Sequence, residues 1–221
     1  MNLKVIIPLK TNSERIKNKN LRLFYNNQSL FDIKANQLLK VFKGKDILVS
    51  SENPEVEKLC ENYGFQFHLR DEKLTKTDAK ENEIVKNLVE AIDDKEADIL
   101  WVQVTQPIFS EFSEIIKIWE KEKQNYDSLV VVKKVKHHLL NEKGNPINFN
   151  FGYWHKISQD LDDLYEITWS AFVMSRRLLN ETYYQIGRKP YLYETNKPLI
   201  DINTIEEFEL AKVIYSYYLK K

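Results

Sequence analysis

Four cations, Lys10, Arg15, Lys17 and Lys19, follow directly on the apolar run Val5-Ile6-Ile7. A buried strand that ends in such a turn presents backbone N–H groups and positive charge at one edge of a sheet, which suits a polyphosphate. The same pattern also describes an ordinary strand exit with solvated lysines. The chain has neither a Gly-Lys-Ser/Thr phosphate loop nor a glycine-rich dinucleotide turn. Far along the chain, Asp201 follows Pro198-Leu199-Ile200 and precedes a helical pattern. A carboxylate fixed at a strand end suits a hard cation, and it equally suits a helix-capping turn.

The chain has 221 residues, 33 of them basic and 33 acidic. Zero net charge offers no global field for nucleic acid, so a polyanionic ligand needs a local cluster such as the first turn. One cysteine, Cys60, excludes an intramolecular disulfide and a thiolate cage. It lies on the apolar side of a helical pattern and reads as a small buried hydrophobe rather than a nucleophile. No apolar run reaches the length of a membrane span, and the first residues lack a secretory apolar core. We expect a cytoplasmic protein with no nucleic-acid or membrane partner.

The elements that must position the cations are legible as alternating patterns. Apolar, β-branched runs over 3–7, 46–50, 99–104 and 128–135 read as strands, several buried on both faces, and 65–69 alternates like a further one. Asn53 and Pro54 start a helix whose stripe is Val56, Leu59, Cys60 and Tyr63, and Gly64 stops it. Ile84, Val85, Leu88, Val89 and Ile92 form a second stripe, and Phe112, Ile115, Ile116 and Trp119 a third. Thr204 caps a last helix with Phe208, Ala211, Ile214, Tyr215 and Tyr218 facing inward. Such alternation predicts an α/β fold with a mostly parallel sheet flanked by helices, and ligands beyond the carboxyl ends of its strands. The first turn, Ser50-Ser51 and 103–107 should therefore converge. We expect one domain over 1–221. Residues 137–169, rich in Asn, Gly and aromatics, break the rhythm and read as an excursion that covers the site or meets a second subunit.

Several ordered motifs resemble the cytidylyltransferases that make CMP-activated acid sugars, the CMP-sialic acid synthetase (acylneuraminate cytidylyltransferase) family. Leu9-Lys10-Thr11-Asn12-Ser13-Glu14-Arg15-Ile16-Lys17-Asn18-Lys19-Asn20 has the spacing of that family's opening motif, with Ser13, Lys19 and Asn20 identical. Val49-Ser50-Ser51-Glu52 resembles its Val-Ser-Thr-Asp turn. Tyr63-Gly64 and Leu69-Arg70-Asp71-Glu72-Lys73-Leu74 resemble the segment that follows it. Gln103-Val104-Thr105-Gln106-Pro107-Ile108-Phe109, His137-His138 and Asp201-Ile202-Asn203-Thr204 resemble three further motifs.

The resemblance implies a Rossmann-like sheet of the nucleotide-diphospho-sugar transferase type with a small protruding dimerisation element, hence a homodimer. It implies CTP as co-substrate, Mg²⁺ as the ion, and attack of an acceptor oxygen on the α-phosphorus with loss of pyrophosphate. Lys10, Lys19 and Asp201 are the implied catalytic residues. The nucleotide would lie against Leu9, Lys10, Thr11, Asn12, Ser13, Arg15 and Lys19, with Ser50, Arg70, Ala79 and Gln103 about the base. The acceptor falls to Gln103, Thr105, Gln106, His138 and Trp169, and the metal to Asp201 and Asn203. Arg70 has a second, less favoured reading as a surface ion-pair partner of Asp71 or Glu72. His137 and His138 read equally as an exposed or interface pair, and Trp169 as plain core.

The acceptor side departs from the family pattern. Thr168-Trp169-Ser170-Ala171 stands where the family has Pro-Asn-Gly-Ala, and two family cations map onto Asn141 and Phe109. Trp169 and Phe109 are expected to narrow the pocket. These changes leave open an acidic sugar, a phosphate or phosphonate acceptor served by cations near Lys133, Lys134 and Lys136, and a non-catalytic nucleotide-binding homologue.

Overall fold

The run that opens the chain forms strand β1, Leu3–Pro8. Its alternation is the reason for the layering: Leu3, Val5 and Ile7 enter one apolar cluster, and Ile6 enters the other on the opposite face of the sheet. The computed structural model describes residues 2–76 and 78–219; Met1, Thr77, Lys220 and Lys221 of the expected 1–221 domain lie outside them.

After β1 come a small hairpin of β2, Leu23–Tyr25, and β3, Gln28–Ser29, and then helix α1, Leu30–Leu38. Next are β4, Ile47–Ser51; α2, Val56–Tyr63; β5, Gln66–Leu69; and α3, Glu81–Glu90. The middle supplies β6, Asp98–Val102; α4, Phe112–Glu122; and β7, Ser128–Lys134. The remainder forms β8, Tyr165–Ser175; α5, Arg176–Thr182; β9, Pro190–Glu194; and α6, Ile205–Leu219. Seven strands make one sheet in the order β5-β4-β1-β6-β8-β7-β9. Its ladders are parallel except for the two made by β8, which runs antiparallel between β6 and β7. The expected mostly parallel α/β sheet is what forms.

Helices α1, α2, α4 and α6 cover one face and α3 and α5 the other. Local signals set their ends. Ser29 and Asp32 exchange side-chain and backbone bonds at the start of α1, satisfying two otherwise orphaned donors. Gly64, at φ +67°, ends α2 by donating to Cys60 and Glu61. Thr204 accepts from Glu207 N at 3.2 Å, and the Glu207 carboxylate accepts from Thr204 N at 2.9 Å, so α6 opens with a reciprocal cap. In α2, Asn53 folds a turn by accepting from Glu55 N, and the helix proper starts later, at Val56. Phe208 and Ala211 of α6 are buried, whereas Tyr218, expected inside, is exposed near the end of the helix. Cys60 is buried, and burial pushes its thiol up to about 12, which leaves it inert at neutral pH.

The segment expected as an excursion over 137–169 runs into a strand of the main sheet. Its last residues, from Tyr165, are the start of β8, the strand at the middle of the sheet's second half. Between Ile167 and Phe172 the β7–β8 ladder breaks register, so that Val130 faces Phe172 while Val132 faces Ile167. The bulged residues place Trp169 at φ +54°, a conformation that costs a non-glycine residue about 1–3 kcal/mol.

Candidate active site

Three cavities lie along the carboxyl ends of the parallel strands. The smallest, about 200 Å³, is lined by Arg70, Thr75, Lys76, Trp101 and Gln103. Next to it, and sharing Pro8, Lys10 and Gln103, is one of about 520 Å³ with Ser13, Arg15, Lys19 and Thr105 in its wall. A third, about 540 Å³, is bounded by Gln106, Lys133, Thr168, Trp169, Asp201 and Asn203. Thr105 Oγ1, in the wall of the second, donates to Asp201 Oδ1, in the wall of the third, at 2.8 Å. Residues from four strand ends thus meet, as the topology requires.

The middle cavity is the cationic one. Lys10, Arg15 and Lys19 converge on it. Lys19 is buried and donates to the Ile202 carbonyl. Burial pulls its ammonium below the usual lysine range, and neighbouring Asp201 opposes that shift. Arg15 Nη2 donates to Asn203 Oδ1 at 2.9 Å, and Asn203 Nδ2 donates to Asp201 Oδ2 at 2.8 Å. The first turn is therefore laced to the 201–203 loop, and the charges of Lys19 and Asp201 compensate across it.

A carboxylate not singled out in the sequence reorganises the first turn. Glu52 Oε1 accepts from Thr11 N and Thr11 Oγ1, each at 2.7 Å, and from Asn12 N at 3.1 Å. The backbone donors of Thr11 and Asn12, expected to face phosphate, are spent on Glu52. Asn12 Nδ2 donates instead to Thr75 Oγ1. Burial pushes the Glu52 carboxyl up, but these bonds outweigh it and hold it below its ordinary value. Ser13 lines the cavity, and Leu9 lies fully buried beneath the turn, donating to Ser50 O at 2.8 Å.

Arg70 is buried, 3.6 Å from Glu52 and not paired with Asp71 or Glu72; its Nε has no partner. Burial lowers its pKa, against the pull of Glu52. Arg70 lines the smallest cavity, so its guanidinium is placed to turn a donor toward a ligand there. Of the other positions expected about the base, Gln103 lines that cavity, whereas Ser50 and Ala79 do not. Ser50 is wholly buried with its hydroxyl against His68 Nδ1 at 3.0 Å, and Ala79 sits outside the lining, bonded through its N–H to Lys76.

On the acceptor side, Gln106 is buried and its Nε2 donates to the Thr168 carbonyl at 2.7 Å, while Gln103 N donates to Ser170 O at 3.2 Å. The two glutamine positions brace the bulge that presents Trp169 to the third cavity, with its ring edge-on to Phe172 at 5.5 Å. Phe109, expected to narrow this cavity, is fully buried against Phe112 in the core and does not line it. His138 is also elsewhere. It stacks on His155 at 4.8 Å, packs edge-on to Phe149, and bonds to Lys156 O at 2.8 Å inside the excursion.

Among the described residues, no group of three or more His, Cys, Asp or Glu is arranged to hold a metal ion. Asp201 accepts one bond on each oxygen and keeps a lone pair on each, so it can give an oxygen ligand to an ion carried in on phosphates. Asn203 does not fit beside it as a ligand: its oxygen faces Arg15 and its amide N–H faces Asp201. The donor set suits a Mg²⁺ bound mainly by its nucleotide.

Comparison with known proteins agrees with this geometry. No curated protein matches the sequence. The chain is similar in fold to a CMP:2-keto-3-deoxy-manno-octonic acid synthetase complexed with CTP, at 10% identity and a TM-score of 0.67, over 99% of this chain and 100% of that one. It is similar to a 4-diphosphocytidyl-2C-methyl-D-erythritol synthase from Anaerococcus prevotii DSM 20548, at 12% identity and a TM-score of 0.66, over 99% and 96%. A third is the 2-C-methyl-D-erythritol 4-phosphate cytidylyltransferase of Francisella tularensis, at 15% identity and a TM-score of 0.62, over 97% and 100%. These likenesses establish the fold. A family model described as cytidylyltransferase matches residues 4–219, and the chain belongs to the cytidylyltransferase family.

Proposed function

We propose that the protein transfers CMP from CTP to an acceptor that carries an anionic group, an acidic sugar of the nonulosonic-acid type, with release of pyrophosphate. The observation that carries this reading is the row of three cavities, the first and second sharing Pro8, Lys10 and Gln103 and the second and third joined by the Thr105–Asp201 bond. The small cavity takes cytosine against Arg70 and Gln103, the cationic one takes the triphosphate, and the third takes the acceptor. In-line displacement at phosphorus needs charge neutralised on the leaving and non-bridging oxygens rather than covalent help. Lys10 and Arg15 supply that charge from the open side of the cavity. Lys19 and Asn203 hold Asp201 in place from behind. Mg²⁺, when bound to CTP, adds Lewis-acid charge at the α-phosphate, with Asp201 as its protein ligand.

A second acceptor class, a phosphorylated or phosphonate-bearing alcohol, rests on a separate observation. Beside the third cavity, and sharing Lys133 and Glu166 with it, is one of about 550 Å³ lined by Lys134, Lys136 and His137. Lys134 is already paired with Asp163, which leaves Lys133 and Lys136 to meet a distal anion.

The exposed aromatics Phe151, Tyr153 and Trp154 in the excursion, the second of them 93% exposed, support the reading that this segment meets a second copy in a cytoplasmic homodimer. Thermal shift with CTP, UTP and ATP, each with Mg²⁺, tests the donor. CTP alone should raise the melting temperature appreciably, and equal shifts by all three would overturn the base assignment. Pyrophosphate release over a set of acidic sugars, sugar phosphates and phosphonates then identifies the acceptor.

A further inference from the structure

We infer that Lys34, on α1 and remote from every reacting atom, is the positioning residue that sets the acceptor wall of the site. The inference rests on the reading of the third cavity as the acceptor cavity.

Lys34 is fully buried, with no acidic side chain beside it. Its Nζ donates to the carbonyls of Gln106 at 2.9 Å and Phe109 at 2.7 Å, and sits over the rings of Phe112, at 5.2 Å, and Phe109. A buried amine so placed has a cost in desolvation, and burial brings its pKa down to about 7. An apolar residue of the same length would fill the space without that cost, so packing alone does not account for a lysine here. What the amine adds is a pair of donors aimed at one turn. Gln37 Nε2 adds a third by donating to the Pro107 carbonyl of the same turn at 2.7 Å. Three carbonyls of the 106–109 turn, those of Gln106, Pro107 and Phe109, are thus clamped onto α1.

The clamp reaches the site through two side chains. Thr105, immediately before the clamped turn, holds Asp201 Oδ1. Gln106, within it, holds the Thr168 carbonyl and so fixes the bulge that carries Trp169 in its left-handed conformation. The strained bulge persists only if its surroundings over-determine it. Lys34 therefore acts on the acceptor wall through Gln106, while the nucleotide side hangs on the separate Glu52 network.

Hydrogen exchange on the full chain, with and without CTP and Mg²⁺, tests this. In Lys34→Met, exchange in 105–109 and 166–171 should rise by at least about 10-fold while 47–52 and 9–20 stay within about 2-fold of wild type. A uniform rise across the sheet, or none at 166–171, overturns the inference. Gln106→Leu leaves the core amine in place and cuts the chain one step later. It should loosen 166–171 and spare 105–109, and protection at 166–171 equal to wild type refutes the coupling even if Lys34→Met does not fold. If wild type fails to bind CTP, the cytidylyltransferase reading of the cavities falls, whereas the exchange result still decides the role of Lys34.

Discussion

The guanidinium of Arg15 donates to Asn203 Oδ1 at 2.9 Å, which closes the first turn onto the loop that carries Asp201. Asn203 in turn gives its amide N–H to Asp201 Oδ2. One side chain thus joins the cation most exposed to an incoming phosphate to the carboxylate most suited to an ion. Asn203→Asp keeps the acceptor for Arg15 but sets a second carboxylate where Asp201 now receives an N–H. Without metal the two negative charges repel. We expect the melting temperature of the variant without Mg²⁺ to fall by about 2–4 °C per kcal/mol of repulsion. Added Mg²⁺ should return that loss, and differential scanning fluorimetry over a Mg²⁺ series reads both effects. An unchanged Mg²⁺ response would remove the 201–203 loop from the ion site.

Asp201 and Lys19 should separate in their effects. Asp201→Asn keeps the bond from Thr105 on its one oxygen but loses the one from Asn203, so the melting temperature should fall by about 2–4 °C while pyrophosphate release falls by about 10²-fold or more. Lys19→Ala removes a buried donor to Ile202 O from a residue that sequence alone places at a solvent edge. It should cost about 1–3 kcal/mol of stability as well as activity, because the carbonyl is left without its buried partner. Urea denaturation of the two variants alongside a turnover assay distinguishes them.

Glu52 gives the fold an acid limit. Its carboxyl is held below its ordinary value of 4.5, so the stability it contributes is present above that pH and is lost as pH falls through the lower, folded value. Glu52→Gln should flatten this part of the acid-unfolding curve and lower stability at pH 7, since the amide accepts less well from Thr11 and Asn12 and leaves Arg70 without its counter-charge. Fluorescence-monitored unfolding between pH 3 and 7 checks both.

Lys34 shifts stability with pH in the same sense, but through a cost rather than a gain. Its folded pKa of about 7 lies below the ordinary lysine value of 10.5, so between these the unfolded chain holds a proton that the folded chain has released. Stability then rises with pH across that window, by about 1.4 kcal/mol per unit at most, and its cost is complete below pH 7. Measured as the difference from Lys34→Met at pH 7, 8 and 9, the wild type should gain steadily. A constant difference would mean that the amine is charged throughout.

How far these features could be read beforehand depends on whether the signal was local. Strands β1, β4, β6 and β7 are apolar and β-branched because both of their faces are covered, and they show as continuous runs. Strand β8 begins Tyr-Glu-Ile-Thr-Trp-Ser and is interrupted by a bulge, so neither a continuous run nor a clean alternation marks it. The cations of the first turn and Asp201 are legible from residue type and place at strand ends. Lys34 is not, because a lysine among Asp32, Ile33 and Ala35 looks like the solvated side of α1 until Gln106 and Phe109 are brought above it. Glu52 and Thr11 are similarly far apart in sequence and meet only through the β1–β4 register.

Trp169 offers the sharpest separation of stability from function. Its φ of +54° suits glycine, the residue is 36% exposed, and its ring packs edge-on to Phe172 beside the third cavity. Trp169→Gly relieves about 1 kcal/mol of backbone strain but gives up the buried part of the side chain, so the net loss should stay below the roughly 3–5 kcal/mol of a fully buried tryptophan truncation. The melting temperature should fall by about 2–4 °C for each kcal/mol lost. If the indole is the platform on which the acceptor rests, its loss raises the KM for the acceptor by about 10-fold and leaves the KM for CTP alone. If the indole merely fills the bulge, stability falls as well but both constants hold. Steady-state kinetics on the acceptor found by pyrophosphate release, together with a melting curve, decides between them.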